Sequence, residues 1–393
     1  MTMPGAASGH VAAFPGHQPP PPVHVKHPAR PGAVKALVWV AVGAVLGLSA
    51  LVTIAVIGVT TGPAGALVGL LLATLPIVPV AASLLWLDRF EDEPRALLFF
   101  AFGWGATAAV VISLVLSIGT MIAIGNAPGA EETATVFVAP VIEESAKGLA
   151  VLGVLLIRRR EFDGVVDGIV YAGLAGLGFA FAENILYLGG AFLDGGLPGA
   201  LGLFLVRCVM GPFAHPMFTA ALGIGVGLAV RTRNPLGKVL YPLFGLAVAM
   251  LLHGSWNALA VQGGETFLTG YVVLQMPIFL GFVVFAVMAR RREARLIARH
   301  LQAYVTSGWL TGTELTMLSS TDGRRRARAW AGRTAGSTGK RAMRDFQELG
   351  SELAFLRERM EHRAARPDAQ QEELDLLQTM WHLRSGFLPA PAR

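Results

Sequence analysis

The chain has 393 residues, of which 53% are hydrophobic and only 15% are charged. Soluble domains usually carry about 25% charged residues, so this composition excludes both a soluble globular protein and a disordered one. The net charge is +6, and because its basic excess lies at the two ends of the chain, it does not call for a nucleic-acid partner. The single cysteine, Cys208, excludes an intrachain disulfide and a cysteine-based metal cluster.

Residues 1–33 are rich in proline and are predicted to form a disordered arm. Eight apolar stretches follow, each long enough to cross a bilayer as a helix of about 20 residues. They cover approximately residues 34–59, 64–87, 96–124, 135–157, 164–189, 200–230, 239–262 and 268–289. The sequence therefore predicts an all-α polytopic membrane protein with about eight transmembrane helices over residues 34–289.

The distribution of basic residues predicts the orientation of these helices. Lysine and arginine follow the second, fourth, sixth and eighth stretches, and the alternate loops 60–63, 125–134, 190–199 and 263–267 contain neither. Basic loops remain on the cytoplasmic side, so both termini are expected there. Residues 290–393 carry apolar side chains at helical spacing in 341–363 and 370–383, which predicts a basic, soluble, helical cytoplasmic tail.

Ionisable groups at membrane depth are costly and indicate function. Four consecutive stretches, within residues 135–262, contain such groups. They are Glu143, Glu144 and Lys147; Glu183; Arg207 and His215; and His253, and the neutral polar residues Asn184, Thr219 and Asn257 lie next to them or four residues away. Counting about 1.5 Å per residue from the outer ends of the helices places the carboxylates and imidazoles roughly 10–20 Å deep, in one slab of the bilayer.

This set of residues contains what the hydrolysis of an amide requires. Glu143 and Glu144 are predicted to supply a general base, and Lys147 to hold one carboxylate ionised. His253 and Asn257 are predicted to support the transition state, and Arg207 is expected to pair with an acid. The same residue types suit a proton-coupled transporter, although no convincing internal repeat is visible. A non-catalytic scaffold that recruits partners through the tail is a third possibility.

At these positions the sequence resembles the PrsW family of intramembrane proteases, within a superfamily that includes the type II CAAX prenyl endopeptidases. The resemblance covers about residues 64–289 and rests on four ordered motifs. These are Glu143-Glu144-x-x-Lys147, Phe179-x-x-x-Glu183-Asn184, His215-x-x-x-Thr219 and His253-x-x-x-Asn257. The loop from Leu87 to Pro94 and the segment from Asp167 to Tyr171 are also similar.

The resemblance implies an endopeptidase of the bacterial plasma membrane whose substrate is a membrane-anchored protein, with an anti-sigma factor of envelope stress signalling as one candidate. It assigns Glu183, Asn184, His215 and Thr219 to support of the site or substrate binding. Two chemistries stay open. In one, His215, His253 and Glu183 hold a zinc ion; in the other, a glutamate activates water without metal.

Overall fold

A computed structural model describes residues 33–88, 90, 93–125, 127–157, 162, 164–361 and 368–387. The predicted arm, apart from residue 33, and the basic run Arg158–Arg160 lie outside the described residues. Every regular element in the described part of the chain is helical, so the all-α prediction is confirmed there. The chain divides into two compact units, one with residues 30–88 and 93–289 and the other with residues 89–92 and 290–393.

The helices of the first unit are often interrupted by short π-helical turns. They are α1 (Ala33–Thr74), α2 (Ile77–Leu87), α3 (Arg95–Trp104), α4 (Val110–Ile124), α5 (Ala130–Thr133), α6 (Ala139–Ile157), α7 (Val165–Phe204), α8 (Ala214–Arg231), α9 (Pro235–Gln262), α10 (Gly264–Gly270) and the first part of α11 (Met276–Thr306). The π-helical turns are Gly105–Ala109, Ala134–Val138, Leu205–Met210 and Tyr271–Gln275.

Five helical segments of the described chain are long and apolar enough to cross a membrane. They are Leu37–Leu87, Arg95–Ile124, Val165–Arg231, Pro235–Gln262 and Gly264–Thr306. The first and third have 51 and 67 residues, more than one crossing of about 20 residues uses. Both break at a glycine with positive φ, Gly62 at 61° and Gly196 at 62°. The protein is a multi-pass membrane protein, whereas the count of eight crossings and the cytoplasmic termini stay predictions.

Helix α7 forms the centre of the first unit. Its residues Val166–Ala180 are buried without interruption, and it packs against α1, α3 and α8. Glycine makes the crossing with α8 possible, because a Cβ on Gly168 would lie 2.0 Å from the carbonyl oxygen of Gly223. Close approach through small residues is a common way to pack helices in a membrane, where hydrophobic burial contributes little. This crossing fixes the relative position of the α7 and α8 side chains.

The second unit contains the end of α11 followed by α12 (Gly312–Leu318), α13 (Thr321–Glu361) and α14 (Ala369–Arg384). The helices predicted over 341–363 and 370–383 lie within α13 and α14, apart from residues 362 and 363, which lie outside the described residues. Buried Arg324 donates to the carbonyls of Leu318 (2.8 Å) and Phe90 (2.5 Å) and to Ser351 Oγ (2.7 Å). The buried Phe90 side chain belongs to the core of this unit.

Candidate active site

The structure brings residues from all four motifs into one buried cluster. Helix α6 supplies Glu143, Glu144 and Lys147, α7 supplies Glu183, α8 supplies His215 and Thr219, and α9 supplies His253. Neighbouring helices meet here because an uncompensated charge in the apolar interior costs several kcal/mol, and each polar group gains a partner from another helix. The convergence expected from the shared depth of these residues is present.

Glu144 lies at the centre of the cluster and is completely buried. Its Oε1 accepts hydrogen bonds from Lys147 Nζ at 2.6 Å and from the Nδ1 of His253 at 2.9 Å, and its Oε2 accepts one from Thr219 Oγ1 at 2.8 Å. Both oxygens are therefore engaged, by side chains from α6, α8 and α9. Because Nδ1 of His253 donates its hydrogen to Glu144, the lone pair of this ring lies at Nε2.

Glu143 differs from its neighbour, although the two are adjacent in sequence. Successive residues of a helix point about 100° apart, and the Glu143 side chain retains 12% of its exposure. Its Oε2 accepts no hydrogen bond from any residue that the structure describes. This oxygen lies 3.6 Å from Lys147 Nζ and 3.7 Å from His253 Nε2. Glu143 therefore offers a basic oxygen beside the imidazole lone pair.

His215 connects Lys147, which is bound to Glu144, with the carboxylate of Glu183. Its Nδ1 lies 3.1 Å from Lys147 Nζ, and its Nε2 lies 2.9 Å from a Glu183 oxygen. An ammonium group donates only, so Nδ1 accepts and Nε2 carries the hydrogen donated to Glu183. The ring centroid is 4.9 Å from that of His253. Both nitrogens of His215 are thus engaged, in contrast to those of His253.

Glu183 forms an ion pair with Arg207, which also donates to Asn184 Oδ1 at 2.7 Å. Arg207 is thus the partner of an acid, as its sequence position predicts. Asn184 also lies 3.5 Å from Cys208 Sγ. Asn257 directs its amide to the backbone carbonyl of Thr135 at 2.9 Å, so this amide hydrogen holds α9 against the turn before α6 instead of facing the carboxylates.

The sequence did not reveal several contacts that orient the site. The ring of Phe218 stacks on His253 with centroids 5.3 Å apart, and Lys147 Nζ lies 4.2 Å from the centroid of Phe179. The Phe179-x-x-x-Glu183 spacing is the sequence signal for the second contact, since it places both side chains on one helix face. No sequence signal identifies Phe218.

Three donor groups are close enough to hold one metal ion: Glu143, His215 and His253, whose ligand atoms lie within 4.8 Å of one another. The set predicted from the resemblance has Glu183 in place of Glu143. Glu183 is paired with Arg207 and His215, whereas Glu143 Oε2 accepts no hydrogen bond from the described residues. One carboxylate and two imidazoles fit zinc by donor type. The ammonium of Lys147 lies at His215 Nδ1 and is the competing cation.

A second buried acidic group lies elsewhere in the first unit. Asp88, Glu93 and Asp167 bring their oxygens within 4.8 Å of one another. Tyr171 donates to Glu93, and the backbone N–H of Gly164 donates to Asp167 at 2.9 Å. Asp167 therefore caps the start of α7, and it is 5% exposed.

Comparison with known proteins decides the family. Residues 93–286 match the model of the PrsW family of intramembrane metalloproteases. Over these residues, the chain belongs to the PrsW family. It is 27% identical to Protease PrsW of Clostridioides difficile over 186 residues, which cover 47% of this chain and 76% of that protein. It is 26% identical to Protease PrsW of Bacillus subtilis over 210 residues, or 53% and 88% of the two chains.

A third relative, Protease PrsW of Oceanobacillus iheyensis, is 35% identical over 123 residues, covering 30% of this chain and 52% of that protein. No solved structure shows a significant match to this chain. The matched residues include the four motif helices α6 to α9 and, of the second acidic group, Glu93 and Asp167. Asp88 precedes the match. The chain is therefore an integral membrane protein of a protease family, and the tail from residue 290 lies outside the match.

Proposed function

We propose that this chain is an endopeptidase that hydrolyses a peptide bond of a membrane-anchored protein at the cluster of Glu143, Glu144, Lys147, His215 and His253. The observation that carries the proposal is the gap between Glu143 Oε2 and His253 Nε2. The two atoms are 3.7 Å apart, and each presents a lone pair. A single water molecule can donate one hydrogen to each of them, which turns its own lone pair towards a substrate carbonyl.

In the proposed reaction, Glu143 is the general base. It takes a proton from the water as the water oxygen bonds to the carbonyl carbon, and the carbonyl oxygen takes up the electron pair. Glu143 then returns the proton to the amide nitrogen as the carbon–nitrogen bond breaks. His253 positions the water through Nε2, and Glu144 fixes the ring by accepting from Nδ1 at 2.9 Å.

Lys147 and Thr219 act through Glu144, to which both donate. The positive charge of Lys147 keeps that carboxylate ionised and therefore able to orient His253. A divalent ion would be held by Glu143, His215 and His253. When bound, such an ion polarises the carbonyl and lowers the pKa of its water. Glu183 and Arg207 keep His215 in place in either chemistry.

The test is cleavage of a single-span substrate by the purified full-length protein in liposomes. Glu143→Gln is expected to lower kcat at least about 100-fold, the size of effect that a general base contributes. Glu131→Gln, at an exposed position of α5, is the matched control and should cleave like the wild type. Cleavage that survives both Glu143→Gln and His253→Ala would refute the assignment. Proton-linked uptake without any cleavage would favour the transporter. If the protein neither cleaves nor transports, and its role in the cell is unchanged in Glu143→Gln and His253→Ala, the scaffold would be favoured.

We also propose an anti-sigma factor as the substrate, on the strength of the resemblance to the PrsW family alone. The expected result is that wild-type protein, but not Glu143→Gln, shortens a single-span anti-sigma factor encoded in the same genome when the two are co-expressed. A substrate of unchanged length in both strains would exclude this candidate and leave the peptidase proposal to the liposome assay.

We further propose eight crossings with both termini in the cytoplasm. The breaks at Gly62 and Gly196 divide the two longest apolar segments into two crossings each. Helix α6 adds one more, despite the three charged side chains it carries. The breaks also coincide with the predicted outer loops, which lack basic residues. Labelling of single cysteines introduced at 62 and 196, in a Cys208→Ala background, should occur from outside the cell; labelling only from inside would refute the topology.

A further inference from the structure

A cavity of about 280 Å³ lies next to the active-site cluster. It lies between the start of α8, α9 and the π-helical turn Tyr271–Gln275, and its lining is mostly aromatic and apolar. Four of its lining residues, Gly211, Pro212, Ala214 and Trp256, also line the small pocket that contains His215. The cavity therefore adjoins the proposed reaction centre, where a side chain flanking the cleaved bond would lie.

The backbone beside the cavity is not helical. The chain leaves the π-helical turn Leu205–Met210 at Gly211 and becomes helical again at Ala214. Tyr271 OH donates to the Met210 carbonyl at 2.9 Å, and a Cβ on Gly211 would lie 2.6 Å from the Trp256 ring. Irregular backbone at membrane depth is tolerated only where it is buried in protein or lines a cavity. The unwound turn and its supporting contacts therefore indicate a built site.

Gln275 supplies the polar feature of this cavity. It is 3% exposed, and its Nε2 donates to Ser255 Oγ at 3.0 Å. The hydroxyl of Ser255 donates to the Leu252 carbonyl at 2.7 Å, so Ser255 can only accept from Gln275 and the orientation of the amide is fixed. Gln275 Oε1 is left without a hydrogen bond from any described residue. A buried acceptor of this kind requires a donor.

We propose that this cavity is a substrate subsite. It binds an apolar side chain beside the cleaved bond, while Gln275 Oε1 accepts a backbone N–H of the same peptide segment. A cavity of about 150 Å³ is enough to hold benzene, so a ring-sized side chain fits. A lipid acyl chain would leave Gln275 unpaired, since it has no donor, whereas an unwound peptide presents N–H groups. The assignment rests on the proposed peptidase function.

The first test measures cleavage of single-span peptides in liposomes that contain the full-length protein. The peptides carry Ala, Leu, Phe or Trp at each of three positions on either side of the cleaved bond. Gln275→Leu should lower kcat/KM about 2–13-fold for all of them, which is the net value of one hydrogen bond. Phe279→Ala enlarges the cavity and should shift the preference at one position towards Trp over Leu at least about tenfold.

The matched control is Leu280→Ala, on the same helix but 55% exposed, which should leave the preference unchanged. A ratio of two substrates is insensitive to loss of folded protein, so partial misfolding of Phe279→Ala does not imitate the result. An unchanged preference in Phe279→Ala, with wild-type kcat/KM in Gln275→Leu, would overturn the subsite.

The second test measures binding without relying on cleavage. The photoreactive residue benzoylphenylalanine replaces Met276, which lines the cavity, in a Glu143→Gln background, and the liposomes contain one of the Phe peptides. Adducts with the peptide support the subsite, and adducts with lipid alone overturn it. If the peptide is bound here but wild-type protein cleaves none of the peptides, the peptidase proposal fails and the binding site stands.

Discussion

Removing the charge of Lys147 tests how the cluster is held together. Lys147 and Glu144 are both completely buried and their charged atoms are 2.6 Å apart. In Lys147→Met the side chain keeps its approximate length, but Glu144 becomes a buried carboxylate with no adjacent cation. Breaking a buried pair by removing one partner costs about 3–5 kcal/mol, which is roughly a 10²- to 10⁴-fold change in the folded-to-unfolded ratio.

The double variant Lys147→Met/Glu144→Gln should recover part of this loss. With a neutral amide at 144, the buried charge that Lys147 compensates at 2.6 Å is gone, and the contacts to Thr219 and His253 keep polar partners; only the longer 3.6 Å contact of Lys147 with Glu143 stays lost. Coupling between residues in direct contact is typically about 0.5–3 kcal/mol, and we expect the upper end of that range here. Lys238→Met, at an exposed position, is the control and should change stability by less than about 0.5 kcal/mol.

The assay is reversible unfolding in detergent followed by circular dichroism for the wild type, the two single variants and the double variant. A loss below about 1 kcal/mol in Lys147→Met would show that water enters the cluster and screens Glu144. Strict additivity of the two changes would show that the residues do not interact. Either result would refute the reading of Glu144 as a carboxylate fixed by Lys147.

Three further predictions concern other parts of the molecule. Gly223→Val should abolish folded protein in size-exclusion chromatography, because a Cβ there would lie 2.0 Å from the Gly168 carbonyl oxygen; Gly281→Val, with no atom near its Cβ position, should not. Arg324→Ala should destabilise the tail by about 2–4 kcal/mol, since it removes three buried hydrogen bonds from a charged donor, and amide hydrogen exchange in α13 should accelerate. Lys147→Ala should raise cobalt affinity at least about tenfold by removing the competing ammonium, as read from visible absorption; unchanged affinity would exclude Glu143, His215 and His253 as the ligands.

Helical spacing and the cost of buried charge predicted that the ionisable residues of four helices lie close together. Glu143 and Lys147 share one face of α6, as do His215 and Thr219 on α8, because they are four residues apart. Each of the four motif helices contributes to the cluster because a charged side chain in the apolar interior needs a partner from another helix. The all-helical membrane fold was predicted from the length of the apolar stretches, and the helical tail from the spacing of its apolar residues.

The partners across helices could not be predicted in the same way. The spacing of four residues places Asn257 on the same face of α9 as His253. In the structure, however, the amide of Asn257 donates to the Thr135 carbonyl. The predicted zinc set contains Glu183, whereas the three donor groups that lie within 4.8 Å of one another include Glu143. The sequence does not show which acid Arg207 pairs with, and in the structure it is Glu183. Gln275 was not singled out, since an isolated glutamine in an apolar stretch carries no motif. These details depend on how the helices rotate and cross, which packing determines.

The charges of the cluster explain why two adjacent glutamates have different roles. Three carboxylates, Glu143, Glu144 and Glu183, face two cations. Lys147 lies closer to Glu144, at 2.6 Å, than to Glu143, at 3.6 Å, and Arg207 is paired with Glu183. Glu143 is therefore the carboxylate whose charge is least compensated, and it is the one beside the free lone pair of His253. A basic oxygen that attracts a proton or a metal ion must lack a cation of its own, so the arrangement that stabilises Glu144 also makes Glu143 reactive.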